Sequence, residues 1–172
     1  MPEQLSIVEA DPAEDWTPGK ESDECYTPAW ILELAARAMG GPIETDPAWS
    51  PRSLVRPTAH AWTHHDDGAN RPWFGRVWVN PPYSKPDPFM VRASEHAAMG
   101  RGPVIALVKL DPTTAWWAIA MRTAHAVVLL RDRVRFLGEY AGGKSGAMFP
   151  SAVIVWDCDP FPAFRHTGWV LR

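Results

Sequence analysis

The stretch Val77-Trp78-Val79-Asn80-Pro81-Pro82-Tyr83-Ser84 runs from a purely apolar segment into a stiff polar loop. Val77 to Val79 are β-branched and aromatic, a composition that predicts an extended strand. Pro81 and Pro82 fix two successive φ angles and remove two backbone donors, so the loop is rigid from its start. That rigidity leaves the Asn80 amide and the neighbouring carbonyls as outward-facing acceptors, with the Tyr83 ring beside them. The combination suits a planar group that carries an amino nitrogen. Such a nitrogen is a poor nucleophile while its lone pair is delocalised into a ring. Two acceptors gripping its hydrogens localise that pair. The Asn80 side-chain oxygen and the Pro81 carbonyl are those acceptors, and Tyr83 offers a stacking face worth roughly 1–3 kcal/mol to a nucleobase.

Upstream, Cys25-Tyr26-Thr27-Pro28 leads into Ala29 to Met39 and then Gly40. Thr27 suits an N-cap, Pro28 the first helical position and Gly40 the C-terminal stop, so a helix is predicted there. The start of such a helix presents free N–H groups and partial positive charge to a carboxylate, although ordinary capping explains Thr27 equally well. Pro42 to Ser50 is a short apolar stretch running into Asp46-Pro47, a strand and turn in which Asp46 is either a ligand contact or a purely structural acid. Residues 51–75 read as one long functional loop. Its His60, His64, His65, Asp66 and Asp67 lie too close together to converge on a metal without partners elsewhere, and a solvated turn is expected.

Downstream, Asp87 to Met99 is predicted helical and Pro103 to Lys109 is a strand by its unbroken apolar run. Thr113 to Thr123 reads as a helix capped by Asp111 or Thr113, with strands at His125 to Leu130 and Ala152 to Trp156. This alternation implies a mostly parallel sheet flanked by helices, with an antiparallel hairpin near the C-terminus. Ligands in such sheets bind at the carboxyl ends of the strands, where Asp46 and Asn80 both fall. Between the last two strands, Arg131, Arg133 and Arg135 alternate onto one face of an expected strand, followed by the Gly-rich loop 141–146 with Lys144. That face either meets nucleic-acid phosphates or is a solvated hairpin edge.

Composition bounds these readings. A chain of 172 residues that is 46% hydrophobic and 22% charged, with net charge -3, has enough core for one folded domain, expected over 24–172 behind a flexible leader at 1–23. The acidic balance disfavours a sequence-independent nucleic-acid coat. No segment reads as a membrane span, no metal site is expected, and two distant cysteines, Cys25 and Cys158, indicate a reducing, cytoplasmic setting.

Asn80-Pro81-Pro82-Tyr83 resembles the catalytic signature of amino-group methyltransferases that use S-adenosylmethionine. Tyr26-Thr27-Pro28 ahead of a helix is similar to the segment that holds the cofactor carboxylate in many adenine methyltransferases. Asp46-Pro47-Ala48 matches the end of the first strand of the wider superfamily, where the acid meets the positively charged end of the cofactor. The usual glycine-rich continuation is missing and bulky Trp49 follows instead. Asp67-Gly68, Arg133-x-x-Phe136, the Gly/Lys loop and Phe149-Pro150-Ser151 resemble the phage-type DNA N-6-adenine methyltransferases. The resemblance runs from about Tyr26 to Trp156 and implies a class I, Rossmann-like methyltransferase fold. It further implies methyl transfer to N6 of a flipped adenine in double-stranded DNA, in the bacterial host cytoplasm. It assigns Asn80, Pro81, Pro82 and Tyr83 to catalysis, and Tyr26, Thr27, Asp46, Pro47, Ala48, Asp67 and Asn80 to the cofactor. Arg131, Arg133, Arg135 and Lys144 are assigned to DNA. An RNA base or a glutamine side chain would serve the same chemistry, and a non-catalytic DNA- or protein-binding module is the reading from another class.

Overall fold

The computed structural model describes residues 23–138 and 149–172; the expected leader up to Ser22 hence lies outside the described residues, as does Lys144 with its loop. In chain order the elements are α1 (Ala29–Ala38), β1 (Thr45–Asp46), β2 (His60–Ala61), β3 (Val77–Val79), α2 (Asp87–Ala98) and β4 (Val104–Lys109). Then come α3 (Ala115–Thr123), β5 (Ala126–Leu130), β6 (Ser151–Trp156), α4 (Phe161–Phe164) and β7 (Gly168–Leu171). Among the described residues the seven strands form one mixed sheet in the order β2-β1-β3-β4-β6-β5-β7. β2, β1, β3 and β4 are mutually parallel. β6 runs antiparallel to both β4 and β5, so it is inserted between two strands that share a direction. β7 pairs antiparallel with β5 and forms the outer edge.

Both faces of the sheet are covered, and the period-two alternation of the strands decides which side chain goes where. Trp78, Ile105, Leu107, Val128, Val153 and Val155 point to the face packed by Ile31, Leu32 and Ala35 of α1 and Phe164 of α4. Val77, Val79, Val104, Ala106, Val108, Ile154 and Trp156 point to the opposite face, under Met90 and Ala93 of α2 and Trp116, Trp117 and Ala120 of α3. The unbroken apolar runs in β3 and β4 are therefore the mark of strands buried on both sides. Because β1 and β3 are parallel neighbours, their carboxyl ends reach the same edge of the sheet, and this brings Asp46 and Asn80 onto one rim.

Several local expectations change. The N-cap of α1 is Pro28, at φ -70 and ψ 151, not Thr27, and no side chain caps the helix. Gly40, at φ 76, takes the left-handed position after the helix, as a terminating glycine should. α3 starts at Ala115 with Thr114 as N-cap; Asp111 instead accepts hydrogen bonds from the Thr113 N–H and hydroxyl. The 51–75 loop contains strand β2 and two short 3-10 turns, His64–Asp66 and Gly68–Asn70. Arg131, Arg133 and Arg135 are not on a strand. Among the described residues the chain there has no ladder partner; the Arg131 N–H donates to the Thr167 carbonyl at 2.9 Å, and an isolated bridge joins Leu137 to Tyr26. Val134 and Phe136 are buried while the three arginines are exposed, so the alternation in the sequence records an extended segment lying on the core. No described helix is long and apolar enough to cross a membrane.

Candidate active site

A cavity of about 260 Å³ opens at the rim where β1 and β3 end. Tyr26, Thr27, Asp46, Pro47, Ala48, Asp67, Asn80 and Pro82 all line it, so residues far apart in sequence share one wall. Pro81 and Tyr83 face away from it, into a second cavity of about 370 Å³ that also touches Lys109, Asp111 and Trp116. Consecutive residues of this loop thus line both cavities. Arg131, Arg133 and Arg135 line neither cavity. Arg135 nonetheless precedes Phe136, whose ring meets Tyr83 edge-on at 6.0 Å.

The floor of the first cavity is built by β1. Asp46 is 3% exposed, and its Oδ1 accepts the Ala48 N–H at 2.9 Å, closing a tight Asx turn. Burial pushes its carboxyl up to about 7, and the Ala48 bond only partly opposes this. The Gly68 backbone lies directly against Pro47: a Cβ on Gly68 would sit 1.8 Å from the Pro47 carbonyl oxygen. Only a glycine at position 68 permits this close approach of the two backbones. Asp67, which precedes Gly68, is left-handed at φ 52 and its carboxylate accepts the Asn70 side-chain N–H at 2.7 Å.

The side wall is residues 23–27. The Thr27 hydroxyl is buried and has no hydrogen-bond partner, because Pro28 has taken the capping position and left it facing the cavity. A buried hydroxyl without a partner costs about 1–3 kcal/mol, which a ligand group would recover. Tyr26 is fixed by two backbone bonds of 2.8 Å to Leu137, and its hydroxyl accepts from Ser50 at 3.4 Å.

Asn80 is the junction. Its Nδ2 donates to the Cys25 carbonyl at 2.6 Å, and that bond sets the amide orientation, since a carbonyl takes only a donor. Oδ1 is left buried without a donor. In the adjoining loop the Pro82 carbonyl accepts the Lys85 N–H at 3.0 Å, whereas no described donor occupies the Pro81 carbonyl. The two acceptors anticipated from the sequence are therefore both unused. Tyr83 packs edge-on against Phe149 at 5.0 Å as well as Phe136, and burial raises its phenol well above its ordinary pKa. Its hydroxyl has no partner.

Residues that sequence reasoning missed are Asp23, the Cys25 carbonyl and Gly68, together with the aromatic supports Phe136 and Phe149. Gly68, Phe136 and Phe149 stand in the motifs Asp67-Gly68, Arg133-x-x-Phe136 and Phe149-Pro150-Ser151, which were the available signals, whereas Asp23 and the Cys25 carbonyl act through contacts remote in sequence. Among the described residues no group of three His, Cys, Asp or Glu side chains is placed to hold a metal ion.

Residues 14–164 match the family model described as DNA N-6-adenine-methyltransferase (Dam). The chain is 27% identical over 132 residues, 75% of each sequence, to a DNA N-6-adenine-methyltransferase of Haemophilus phage HP1 (strain HP1c1). It is also 36% identical over 59 residues, 33% of this chain and 24% of the relative, to a DNA N-6-adenine-methyltransferase of Escherichia phage T1. With the family match spanning all the elements that build the two cavities up to Phe164, the chain belongs to the DNA N-6-adenine-methyltransferase (Dam) family.

Proposed function

We propose that the first cavity holds S-adenosylmethionine and that an adenine swung out of double-stranded DNA enters beside Tyr83, its amino nitrogen held by Asn80 and Pro81. The enzyme transfers a methyl group to N6 of adenine in DNA, as its family does. The fold is read as class I methyltransferase-like on the strength of β6, antiparallel between two strands of common direction, and of the polar residues Asp46 and Asn80 at the carboxyl ends of two parallel strands. The residues present fit the cofactor: Asp46 is a buried acid awaiting positive charge, Thr27 offers an unpartnered hydroxyl at a helix start, and Gly68 keeps the floor low. When bound, S-adenosylmethionine supplies an electrophilic methyl group on a sulfonium. Tyr26, Pro47, Ala48 and Asp67 complete the wall around it.

The single observation that carries this reading is the Asn80 amide, pinned through its nitrogen with its oxygen buried and unused. In that state it accepts one amino hydrogen while the Pro81 carbonyl accepts another. Both contacts strengthen as the nitrogen becomes more positive, so they favour the transition state over the bound substrate. Tyr83 holds the base by its face, no covalent intermediate is required of the chain, and the proton that the methylated nitrogen sheds passes to solvent. An amino group paired inside the duplex is out of reach, which is why the base must leave the stack. The exposed Arg131, Arg133 and Arg135 supply phosphate contacts beside Phe136. The setting is the cytoplasm of a bacterial host.

The test is Asn80→Ala. Methyl transfer should fall by at least a hundredfold while S-adenosylmethionine affinity stays nearly intact, and digestion of DNA methylated by the unaltered enzyme should yield N6-methyladenine. A different methylated product, or Asn80→Ala at the original rate, would overturn the assignment.

A further inference from the structure

We infer that residues 23–26 form a strap that fixes the reacting loop, with Asp23 as a positioning residue acting through Ser84. The inference rests on the reading of Asn80 as the amine acceptor. Asp23 stands 61 positions before Ser84, yet its two carboxylate oxygens take the Ser84 N–H at 3.0 Å and the Ser84 hydroxyl at 2.8 Å. Two residues later the Cys25 carbonyl takes the Asn80 amide. The strap thus grips the loop at both ends, before the first proline and just after Tyr83. At Tyr26 the same segment is bridged to Leu137, and the Glu24 carbonyl lies against Gly138, where a Cβ would approach it to 2.4 Å. A strap held on its far side in this way is itself fixed.

The geometry demands such a device. Pro81 and Pro82 stiffen the loop internally but donate nothing to the sheet, so they leave its position relative to β3 unfixed beyond Asn80. A carboxylate that chelates one residue's N–H and O–H together restricts both translation and rotation of that residue. The restricted residue is the neighbour of Tyr83. Release of Ser84 should let Tyr83 and the Pro81 carbonyl drift from the line of reaction, and misplacement of that order costs rate more than binding. The strap also walls the cofactor cavity from Asp23 to Thr27, so one segment touches both reactants' sites.

The experiment combines hydrogen exchange with kinetics on Asp23→Ala, Asp23→Asn, Ser84→Ala and the double variant Asp23→Ala/Ser84→Ala. Asp23→Ala should unprotect the Ser84 amide and lower kcat by about tenfold, a larger effect than the one on S-adenosylmethionine affinity measured by calorimetry, which changes too because Asp23 also lines that cavity. Asp23→Asn keeps an acceptor for the N–H and a donor for the hydroxyl oxygen, and should restore most of the rate. In the double variant Ser84→Ala should add nothing to Asp23→Ala, because the hydroxyl has already lost its partner. Unchanged Ser84 exchange, an equal loss of cofactor affinity, or additive effects of the two substitutions would each overturn the strap. Ser84 exchange is read without turnover, so a failed strap is distinguishable from a failed Asn80 assignment, which Asn80→Ala reports alone.

Discussion

Asp46 is buried in the floor of the cavity, and its folded-state pKa is raised from 3.8 to about 7 chiefly by burial. Two measurable consequences follow with opposite sense. The folded protein holds a proton between pH 3.8 and about 7 that the unfolded chain has given up, so this residue favours folding at low pH. That contribution is lost as pH rises across the same window. Three pH units at 1.36 kcal/mol each put the loss on the order of 4 kcal/mol by pH 8. Asp46→Asn, isosteric and never charged, should therefore raise the stability of the ligand-free protein at pH 8 and leave it nearly unchanged at pH 4, as read by urea denaturation. Binding of a cationic ligand runs the other way. It needs the carboxylate, so in the unaltered protein affinity for S-adenosylmethionine should fall about tenfold from pH 8 to pH 6. Each binding event should release more protons near pH 6 than near pH 8. Calorimetry in buffers of different ionisation enthalpy reads that count. Asp46→Asn should bind more weakly at pH 8 and with no pH slope over this window. A variant that keeps both the affinity and the slope would show that another acid meets the ligand.

Tyr83→Phe should retain activity, since the buried hydroxyl has no partner to lose, whereas Tyr83→Ala should lose roughly 1–3 kcal/mol of base stacking, seen as a lower kcat/KM in a methyl-incorporation assay. Gly68→Ala forces a methyl group onto the Pro47 carbonyl and should cost about 1–3 kcal/mol in denaturation while weakening cofactor binding, because the cavity floor must shift. Arg135→Ala should weaken DNA binding alike for all sequences and reduce the slope of log affinity against log salt by about 1, measured by fluorescence anisotropy; loss of preference at one base position would indicate base readout instead.

What was legible in the sequence was whatever burial writes locally. The unbroken apolar runs of β3 and β4 declare strands covered on both faces, and Asn80 stands out as the polar residue that ends the first of them. Thr27 misled for a physical reason: a threonine before Pro is the usual capping pattern, but Pro28 already sits in extended conformation and leaves the hydroxyl for the cavity. The alternating arginines misled because alternation records only an extended chain over a core, and a strand needs a partner that no local pattern reveals. α4 and β7 escaped notice because each is only four residues long, and α4 has Pro160 at its N-cap and Pro162 inside it. The Asp23 strap and the Gly68 contact join segments that are remote in sequence or lie in a loop without periodicity.

The placement of β6 has a consequence for how the chain reaches its native state. β4 pairs with β6 along its whole length, Val104 to Trp156 and Lys109 to Ser151, and β5 leans on the other side of the same strand. Until Ser151–Trp156 has been synthesised and threaded between them, β4 has one open edge beyond its pairing with β3, and β5 has no ladder partner. Closing that gap requires contacts of high sequence separation, which form late and slowly. During this interval the nascent chain is a template for intermolecular strand pairing, and a chain that stops before Ser151 should accumulate as aggregate instead of a smaller soluble fold.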